Sequence, residues 1–172
     1  MHTTDIDWDK YPSLHTYSAP LKPMTRRLIG RESLIRSIMA AFSRAELCNV
    51  ILLAPAGSGK TALVQGTMER DAERLYLEVD LARMIADCQN DTNEMAAKLK
   101  MLFSETEACV KTEGQEIVLF IDEFHQVVQL SAAAVEALKP LLADSGTRGI
   151  RVIAAPPLEE FKQFISPLPP LV

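Results

Sequence analysis

The chain has 172 residues and a mass of 19.0 kDa, which is enough for one domain that buries a core without disulfides or bound metal. Apolar residues make up 48% and charged residues 24%, and the 7 glycines and 10 prolines are too few for a disordered chain. Lys and Arg number 18 against 23 Asp and Glu, a net charge of −5. This acidic balance argues against a nucleic-acid partner, because proteins that bind the phosphate backbone usually carry a basic surface.

The spacing of the cysteines and the lengths of the apolar runs indicate the cellular compartment of the protein. The three cysteines are widely spaced and form no CxxC pair, which is typical of structural thiols in a reducing compartment. The first residues lack the basic and apolar regions of a secretory signal, and no apolar run approaches the ~18 residues of a membrane span. We therefore expect a cytoplasmic protein that does not contact a membrane.

The first 27 residues differ in pattern from the rest of the chain. They contain Pro12, Pro20 and Pro23 among scattered aromatic side chains and show no sustained period. This pattern predicts an arm over 1–27 that lies on the domain or on a neighbour. Residues 28–172 form the predicted core domain, which opens with a helix from Arg31 whose apolar residues recur at helical spacing.

Beyond this helix, short apolar runs alternate with helical patterns. The predicted strands cover 49–54, 74–81, 116–122 and 150–155. The predicted helices cover 60–70, a segment opened by the capping pair Asp91 and Glu94, a segment from Ser131, and 158–165. Because parallel strands are joined by helical crossovers, this alternation predicts an α/β fold with a mostly parallel sheet.

A glycine-rich segment lies between the strand at 49–54 and the helix at 60–70, which is the context of a phosphate-binding loop. It reads Ala54-Pro55-Ala56-Gly57-Ser58-Gly59-Lys60-Thr61. Gly57 and Gly59 let backbone N–H groups face a polyphosphate, Lys60 supplies a positive charge for the β- and γ-phosphates, and Thr61 offers Mg²⁺ a hydroxyl ligand. The usual pattern begins with glycine where this chain has Ala54, so the match covers G-x-G-K-T. The segment predicts binding of ATP or ADP with Mg²⁺.

An acidic pair forms the second motif. The strand at 116–122 ends in Asp122, and Glu123 follows it. Carboxylates at the carboxyl end of a buried parallel strand lie at the crevice where α/β sheets bind ligands. We predict that Asp122 holds Mg²⁺ through water and that Glu123 is the general base that polarises the attacking water. Together with Lys60, the pair predicts a nucleoside triphosphatase.

Several segments, in this order, resemble the Clp-type AAA+ unfoldases and disaggregases, specifically their first ATPase domain, over about residues 11–165. The segments are Leu28-Ile29-Gly30-Arg31-Glu32, Gly57-Ser58-Gly59-Lys60-Thr61-Ala62, Phe120-Ile121-Asp122-Glu123-Phe124-His125, Leu138-Lys139-Pro140 and Leu158-Glu159-Glu160-Phe161. The resemblance implies a three-layer P-loop NTPase (AAA+) core. For the full-length protein it implies ATP hydrolysis, a homo-oligomeric ring, and protein partners or substrates.

The resemblance also implies roles for particular residues. The segment 28–30 would pack on adenine. The implied nucleotide-binding residues are Leu28, Ile29, Gly30, Ala56, Gly57, Ser58, Gly59, Lys60, Thr61 and Ala62. The family's strand order places the strand at 49–54 beside that at 150–155, with 116–122 and 74–81 beyond. His125 matches a family histidine, for which we expect an orienting hydrogen bond or packing at the strand end, since it has no partner at metal-ligand spacing.

The chain departs from the family pattern at three places. Pro156-Pro157 stands where the family has a polar γ-phosphate sensor, and proline has neither a side-chain donor nor a backbone N–H. The segment 87–93 lacks the aromatic residue and the glycine of the family's substrate-gripping loop, so we expect a polar loop that does not grip polypeptide. The sequence stops before the family's arginine fingers, fifth strand and helical lid, which predicts a C-terminally truncated core.

Three expectations follow from that truncation. The strand at 49–54 would lie at an open sheet edge, which the proline-rich arm could cover in part. The chain alone would hydrolyse ATP very weakly, and it would be a monomer or a dimer that is not ring-like. Two other functions stay open at this point: a nucleotide-responsive binding or assembly module with little hydrolysis, and a helicase-loader or transposition ATPase, which would need a basic DNA-binding face.

Overall fold

The computed structural model describes residues 5–24, 30–44, 46–52, 59–89, 91–155, 161 and 165–167. Within them, a six-stranded sheet forms the centre of the molecule. Its strands are β1 (Ser18–Pro20), β2 (Asn49–Ile51), β3 (Arg74–Val79), β4 (Glu116–Ile121), β5 (Ile150–Ala154) and β6 (Ile165–Pro167). Their order across the sheet is β1-β3-β4-β5-β2-β6.

The strand pairing confirms the predicted α/β fold with a mostly parallel sheet. β3, β4, β5, β2 and β6 pair in parallel with their neighbours, and β1 pairs antiparallel with β3. β2 lies beside β5, with β4 and then β3 beyond, as the family order implies. All the parallel strands therefore direct their carboxyl ends to the same edge, where α/β proteins bind ligands.

Seven α-helices are described, and a side-chain cap begins three of them. The seven are α1 (Pro12–Tyr17), α2 (Glu32–Phe42), α3 (Lys60–Arg70), α4 (Leu81–Cys88), α5 (Thr92–Glu113), α6 (His125–Leu130) and α7 (Ala132–Asp144). The capped helices are α4, α5 and α7. The Asp91 carboxylate accepts hydrogen bonds from the first-turn N–H groups of α5, and the Ser131 hydroxyl accepts one from Ala134 N in α7. Both predicted helix starts are confirmed, because each side chain satisfies donors that have no intrahelical partner.

Two hydrophobic clusters cover the two faces of the sheet and give the molecule three layers. Along β4, Val118 and Phe120 face the cluster formed with α2 and α3. Ile117, Leu119 and Ile121 face the cluster formed with α1, α4, α5, α6 and α7. The alternation follows from the two-residue period of a strand, and the apolar character of both faces is why β4 reads as a continuous apolar run.

Residues 5–24 pack on the core and extend its sheet. β1 adds a strand beside β3, and Leu14 and Tyr17 of α1 are buried in the same cluster as α5. Glu105 of α5 accepts hydrogen bonds from Ser13 N and Leu14 N, which satisfies the first turn of α1. The arm therefore covers the β3 edge of the sheet.

At the opposite edge of the sheet, formed by β2 and β6, the structure differs from two expectations. The 49–54 strand was expected to be open, but β6 pairs with β2 in parallel, from Asn49 beside Ile165 to Ile51 beside Pro167. The described residues of the arm, 5–24, do not pair with this edge. A helix was predicted over 158–165, yet Ile165 begins a strand. Most of that predicted helix, and Pro156-Pro157, lie outside the described residues.

Two helices of the core domain, α4 and α6, were not predicted, and neither was α1 in the arm. The strand predicted over 74–81 ends at Val79, because the Asp80 side chain accepts a hydrogen bond from Arg83 N and starts α4. α4 continues to Cys88, and Gln89 ends it in the left-handed conformation. The polar loop predicted over 87–93 is therefore wrong in part, because residues 87–88 belong to α4 and residues 92–93 to α5. The second unpredicted helix, α6, follows the acidic pair directly.

Among the described residues, no helix is both long enough and apolar enough to cross a membrane.

Candidate functional site

Lys60 and Asp122 meet at the carboxyl edge of the sheet. Lys60 is the first residue of α3, and Asp122 follows the last residue of β4. Lys60 Nζ lies 3.1 Å from Asp122 Oδ1, although the two residues are 62 positions apart. The lysine side chain is only 12% exposed and the aspartate 34%. Because a buried ammonium group without a partner costs several kcal/mol, this ion pair determines where the lysine lies.

The loop after β4 is held by its backbone. Glu123 N donates a hydrogen bond to Asp122 Oδ1 over 2.9 Å. Phe124 N donates to Ala155 O over 2.9 Å, and Ala155 N donates to Ile121 O over 3.1 Å. The Phe124 ring is buried against Phe161, with ring centroids 5.0 Å apart. These contacts continue the β4–β5 pairing past the strand ends and fix the position of the acidic pair.

Glu123 adopts a backbone conformation that is uncommon for a residue with a side chain. Its φ is +57°, in the left-handed region, which costs a non-glycine residue about 1–3 kcal/mol and is concentrated at functional sites. The Glu123 carboxylate is 55% exposed and lies 3.4 Å from His125 Nε2, measured to Oε2. The structure therefore brings Glu123 to His125 and Asp122 to Lys60.

The described part of the predicted phosphate-binding segment begins at Gly59. Gly59 is the N-cap of α3 with φ +87°, a conformation that glycine adopts without strain, and no side chain caps the helix there. Lys60, Thr61 and Ala62 form the first turn, whose N–H groups have no intrahelical partner and can face an anion. Thr61 makes no hydrogen bond to Asp122. Ala56, Gly57, Ser58, Leu28 and Ile29 lie outside the described residues.

Gly30, the last residue of the predicted adenine-packing segment, is described. It has φ +81° and lies just before α2. A Cβ at this position would have no atom within 4 Å, so glycine is required there by the backbone conformation and not by crowding.

A cavity of about 660 Å³ adjoins the acidic pair and was not predicted from the sequence. Asp122, Glu123 and Gln126 line one side, and the arm contributes Trp8 and His15, whose rings are stacked with centroids 6.2 Å apart. Residues from the end of β3 and the start of α4 complete the wall. The arm residues carry no motif, and they reach this edge through the pairing of β1 with β3 and the packing of α1 on α5.

Among the described residues, the arrangement brings together the Lys60 ammonium group, the carboxylates of Asp122 and Glu123, and the first turn of α3, which no side chain caps. Among the described residues, no group of three or more His, Cys, Asp or Glu side chains is arranged to hold a metal ion. A divalent cation at Asp122 would therefore need oxygen ligands from elsewhere, and phosphate oxygens are suitable hard ligands for Mg²⁺. The residues fit a metal-bound phosphate better than a metal ion held by protein alone.

The fold and site define an α/β nucleotide-binding core of the P-loop class. Residues 50–162 match the family model described as "ATPase family associated with various cellular activities (AAA)". The matched segment covers more than half of the chain, and the chain belongs to this family. It runs from β2 to beyond β5 and includes Lys60, Asp122 and Glu123.

Curated relatives confirm the resemblance to Clp-type proteins. The chain is 30% identical to the chaperone protein ClpB of Corynebacterium diphtheriae over 184 residues, covering 95% of this chain and 21% of ClpB. It is 36% identical to ClpB of Propionibacterium freudenreichii over 159 residues, covering 84% of this chain and 17% of that protein. The chain thus spans about a fifth of the length of these relatives.

Solved structures show the same fold. A closed-state cryoEM reconstruction of Hsp104 with ATPγS and FITC casein matches with a TM-score of 0.66 and 25% identity, covering 91% of this chain and 30% of that one. The Saccharomyces cerevisiae Hsp104–ADP complex matches with a TM-score of 0.71 and 24% identity, covering 90% of this chain and 30% of that one. These Clp-type relatives favour a chaperone ATPase core over a helicase-loader or transposition ATPase.

Proposed function

We propose that the chain binds ATP or ADP with Mg²⁺ at the carboxyl edge of the sheet, with the phosphates against the segment 54–61. The observation that carries the proposal is the contact between Lys60 Nζ and Asp122 Oδ1 at 3.1 Å. It joins the start of α3 to the end of β4, where a lysine for phosphate and a carboxylate for a metal ion are needed together. Membership of the AAA family supports nucleotide binding.

The roles of the individual residues follow from their chemistry. Lys60 would bind the β- and γ-phosphates, and the N–H groups of Lys60, Thr61 and Ala62 would add the positive end of the α3 dipole. The Thr61 hydroxyl and the Asp122 carboxylate, the latter through water, would hold Mg²⁺. When bound, Mg²⁺ neutralises negative charge on the phosphates. Ala56, Gly57 and Ser58 are proposed to surround the phosphates, and Leu28, Ile29 and Gly30 to contact adenine.

Glu123 is proposed as the general base for ATP hydrolysis. Its carboxylate is 55% exposed and can therefore contact water. The carboxylate takes a proton as the water oxygen attacks the γ-phosphorus. The bond from the γ-phosphorus to the bridging oxygen breaks, and ADP and inorganic phosphate leave.

For the whole protein, we propose a cytoplasmic Clp-like chaperone that works as a homo-oligomeric ring on protein substrates. Similarity to ClpB supports the class, and the Hsp104 reconstruction that contains casein supports protein as the substrate class. The chain alone is proposed to be a monomer or a non-ring dimer that hydrolyses ATP slowly. Pro156, where the family has a polar sensor, supports the slow rate because proline offers no donor for the attacking water.

Isothermal titration calorimetry of ATP and ADP in the presence of Mg²⁺ tests the binding proposal. Replacement of Lys60 by alanine or by glutamine removes a charge-assisted contact worth about 1.5–3 kcal/mol, so we expect roughly ten- to hundred-fold weaker binding. The matched control is Lys139→Ala, which removes a lysine paired with Glu136 on the α7 surface and should leave Kd unchanged. Equal affinities for wild type and both Lys60 variants would refute the assignment.

A second measurement separates hydrolysis from binding. With protein in excess over radiolabelled ATP, single-turnover conversion reports rates too slow for steady-state assays. We expect Glu123→Gln to bind ATP like the wild type and to lose this conversion. A wild-type rate in Glu123→Gln would show that Glu123 is not the base.

A further inference from the structure

Among the described side chains, His125 is the ion-pair neighbour of the Glu123 carboxylate. The distance from Glu123 Oε2 to His125 Nε2 is 3.4 Å, slightly longer than a well-formed hydrogen bond. The left-handed backbone of Glu123, with φ +57°, turns the chain so that residues 123 and 125 lie side by side. The second ring nitrogen, His125 Nδ1, is buried and has no hydrogen-bond partner among the described residues.

These two environments select one form of the imidazole ring. With the proton on Nε2, the ring presents an N–H to the carboxylate and leaves an acceptor at the buried Nδ1. With the proton on Nδ1, a lone pair would face the carboxylate oxygen and a donor would be buried unpaired, which costs about 1–3 kcal/mol. Of the two neutral tautomers, the geometry therefore favours the one with the proton on Nε2.

The backbone fixes where this N–H lies. His125 is the first residue of α6, and the preceding Phe124 is buried and donates its N–H to Ala155 O at the end of β5. The hydrogen bond from Phe124 N to Ala155 O joins the backbone next to His125 to the end of β5. The sheet therefore fixes the position of the His125 ring. The exposed carboxylate of Glu123 has rotatable bonds of its own, and among the described side chains only His125 forms an ion pair with it.

We propose that His125 is a positioning residue for Glu123, holding its carboxylate through Nε2–H in the orientation used for proton abstraction. The inference rests on the proposed function of Glu123 as a base. His125 contacts neither substrate nor phosphate in this role. Its effect is to restrict the carboxylate to one arrangement, because a misplaced reacting group lowers the rate without altering ground-state binding.

Substitutions of His125 that place a hydrogen-bond donor at different positions test the proposal in the 172-residue chain. Glutamine carries its amide nitrogen near the position of Nε2, and asparagine near that of Nδ1. We expect His125→Ala and His125→Asn to lower the single-turnover rate of ATP hydrolysis about tenfold or more with an unchanged Kd for ATP, and His125→Gln to recover most of the rate. Gln129→Ala, at an exposed position of α6, is the control for damage to the helix.

A spectroscopic readout keeps the test independent of turnover. Long-range ¹⁵N–¹H NMR spectra of the histidine rings at pH 8 should show His125 protonated on Nε2, and Glu123→Gln should shift its ring resonances. Protonation on Nδ1, or His125 ring resonances that do not change in Glu123→Gln, would overturn the proposal even if the wild-type chain hydrolysed no ATP. Equal rates in all three His125 variants, whether high or low, would also overturn it. Failure of nucleotide binding itself would appear separately, in the Lys60 titrations.

Discussion

Asn49, at the start of β2, makes the hydrogen bonds that join this strand to β5 and to the end of α7. Its side chain is 1% exposed. Oδ1 accepts from Val152 N over 2.9 Å, and Nδ2 donates to Leu142 O over 3.0 Å and to Ser145 Oγ over 3.0 Å. We predict that Asn49→Ala destabilises the fold, because the alanine can replace none of these contacts.

The magnitude follows from which partners can recover. Ser145 Oγ already lies 3.1 Å from Leu142 O, so these two groups keep each other as partners. Val152 N–H points toward β2, where its hydrogen-bond acceptor is the Asn49 side chain and not the β2 backbone. The substitution leaves this N–H buried and unpaired, which lowers the free energy of unfolding by about 1–3 kcal/mol. With the two lost Nδ2 contacts, at about 0.5–1.5 kcal/mol each, the expected loss is ~2–6 kcal/mol out of a total stability of ~5–15 kcal/mol.

Urea unfolding followed by circular dichroism measures this loss through the midpoint, provided that the slope is unchanged. Ser145→Ala is the matched comparison: it leaves Asn49 bonded to Val152 N and Leu142 O, and should cost only about 0.5–1.5 kcal/mol. A loss below about 1 kcal/mol for Asn49→Ala, or an equal loss for Ser145→Ala, would refute the reasoning that the orphaned N–H dominates.

Three further predictions concern backbone conformation and a buried thiol. Gly149→Ala should lose about 2–3 kcal/mol in thermal unfolding and more than Gly114→Ala, since both have positive φ but only at Gly149 would the new Cβ lie 2.6 Å from Val110 Cγ1; equal losses would contradict this. Gln89→Gly should gain about 0.5–1 kcal/mol, because Gln89 ends α4 with φ +48°, where glycine is not strained; a loss in the same assay would count against it. Burial raises the pKa of Cys109 to about 11, so iodoacetamide at pH 8 should modify it slowly in the native chain and rapidly in urea, as mass spectrometry would show. The raised pKa adds stability that is present below the unfolded pKa and is lost as the pH rises toward 11; fast native modification would disprove the burial argument.

The parts of the fold that could be predicted are those with a long local pattern. The apolar run of β4 and the helical stripe of α2 are each set by residues close together in the sequence. The spacing of their apolar residues therefore predicts both elements correctly. The same holds for the meeting of Lys60 and Asp122, because both follow predicted parallel strands whose carboxyl ends share an edge. α4 was missed because the alternation of β3 continues to Leu81, whereas the cap at Asp80 decides the boundary.

What the sequence by itself determined is the alternation of strands and helices and the chemistry at the ends of β2 and β4. Only the tertiary structure decided how the two sheet edges are covered. β1 and β6 have three residues each, too few for a period to show, and they form because a neighbouring strand offers unpaired backbone groups. The contact between Glu123 and His125 also belongs to the tertiary structure. It depends on a left-handed turn held by Ala155, far along the chain, and no local pattern encodes such a long-range backbone bond.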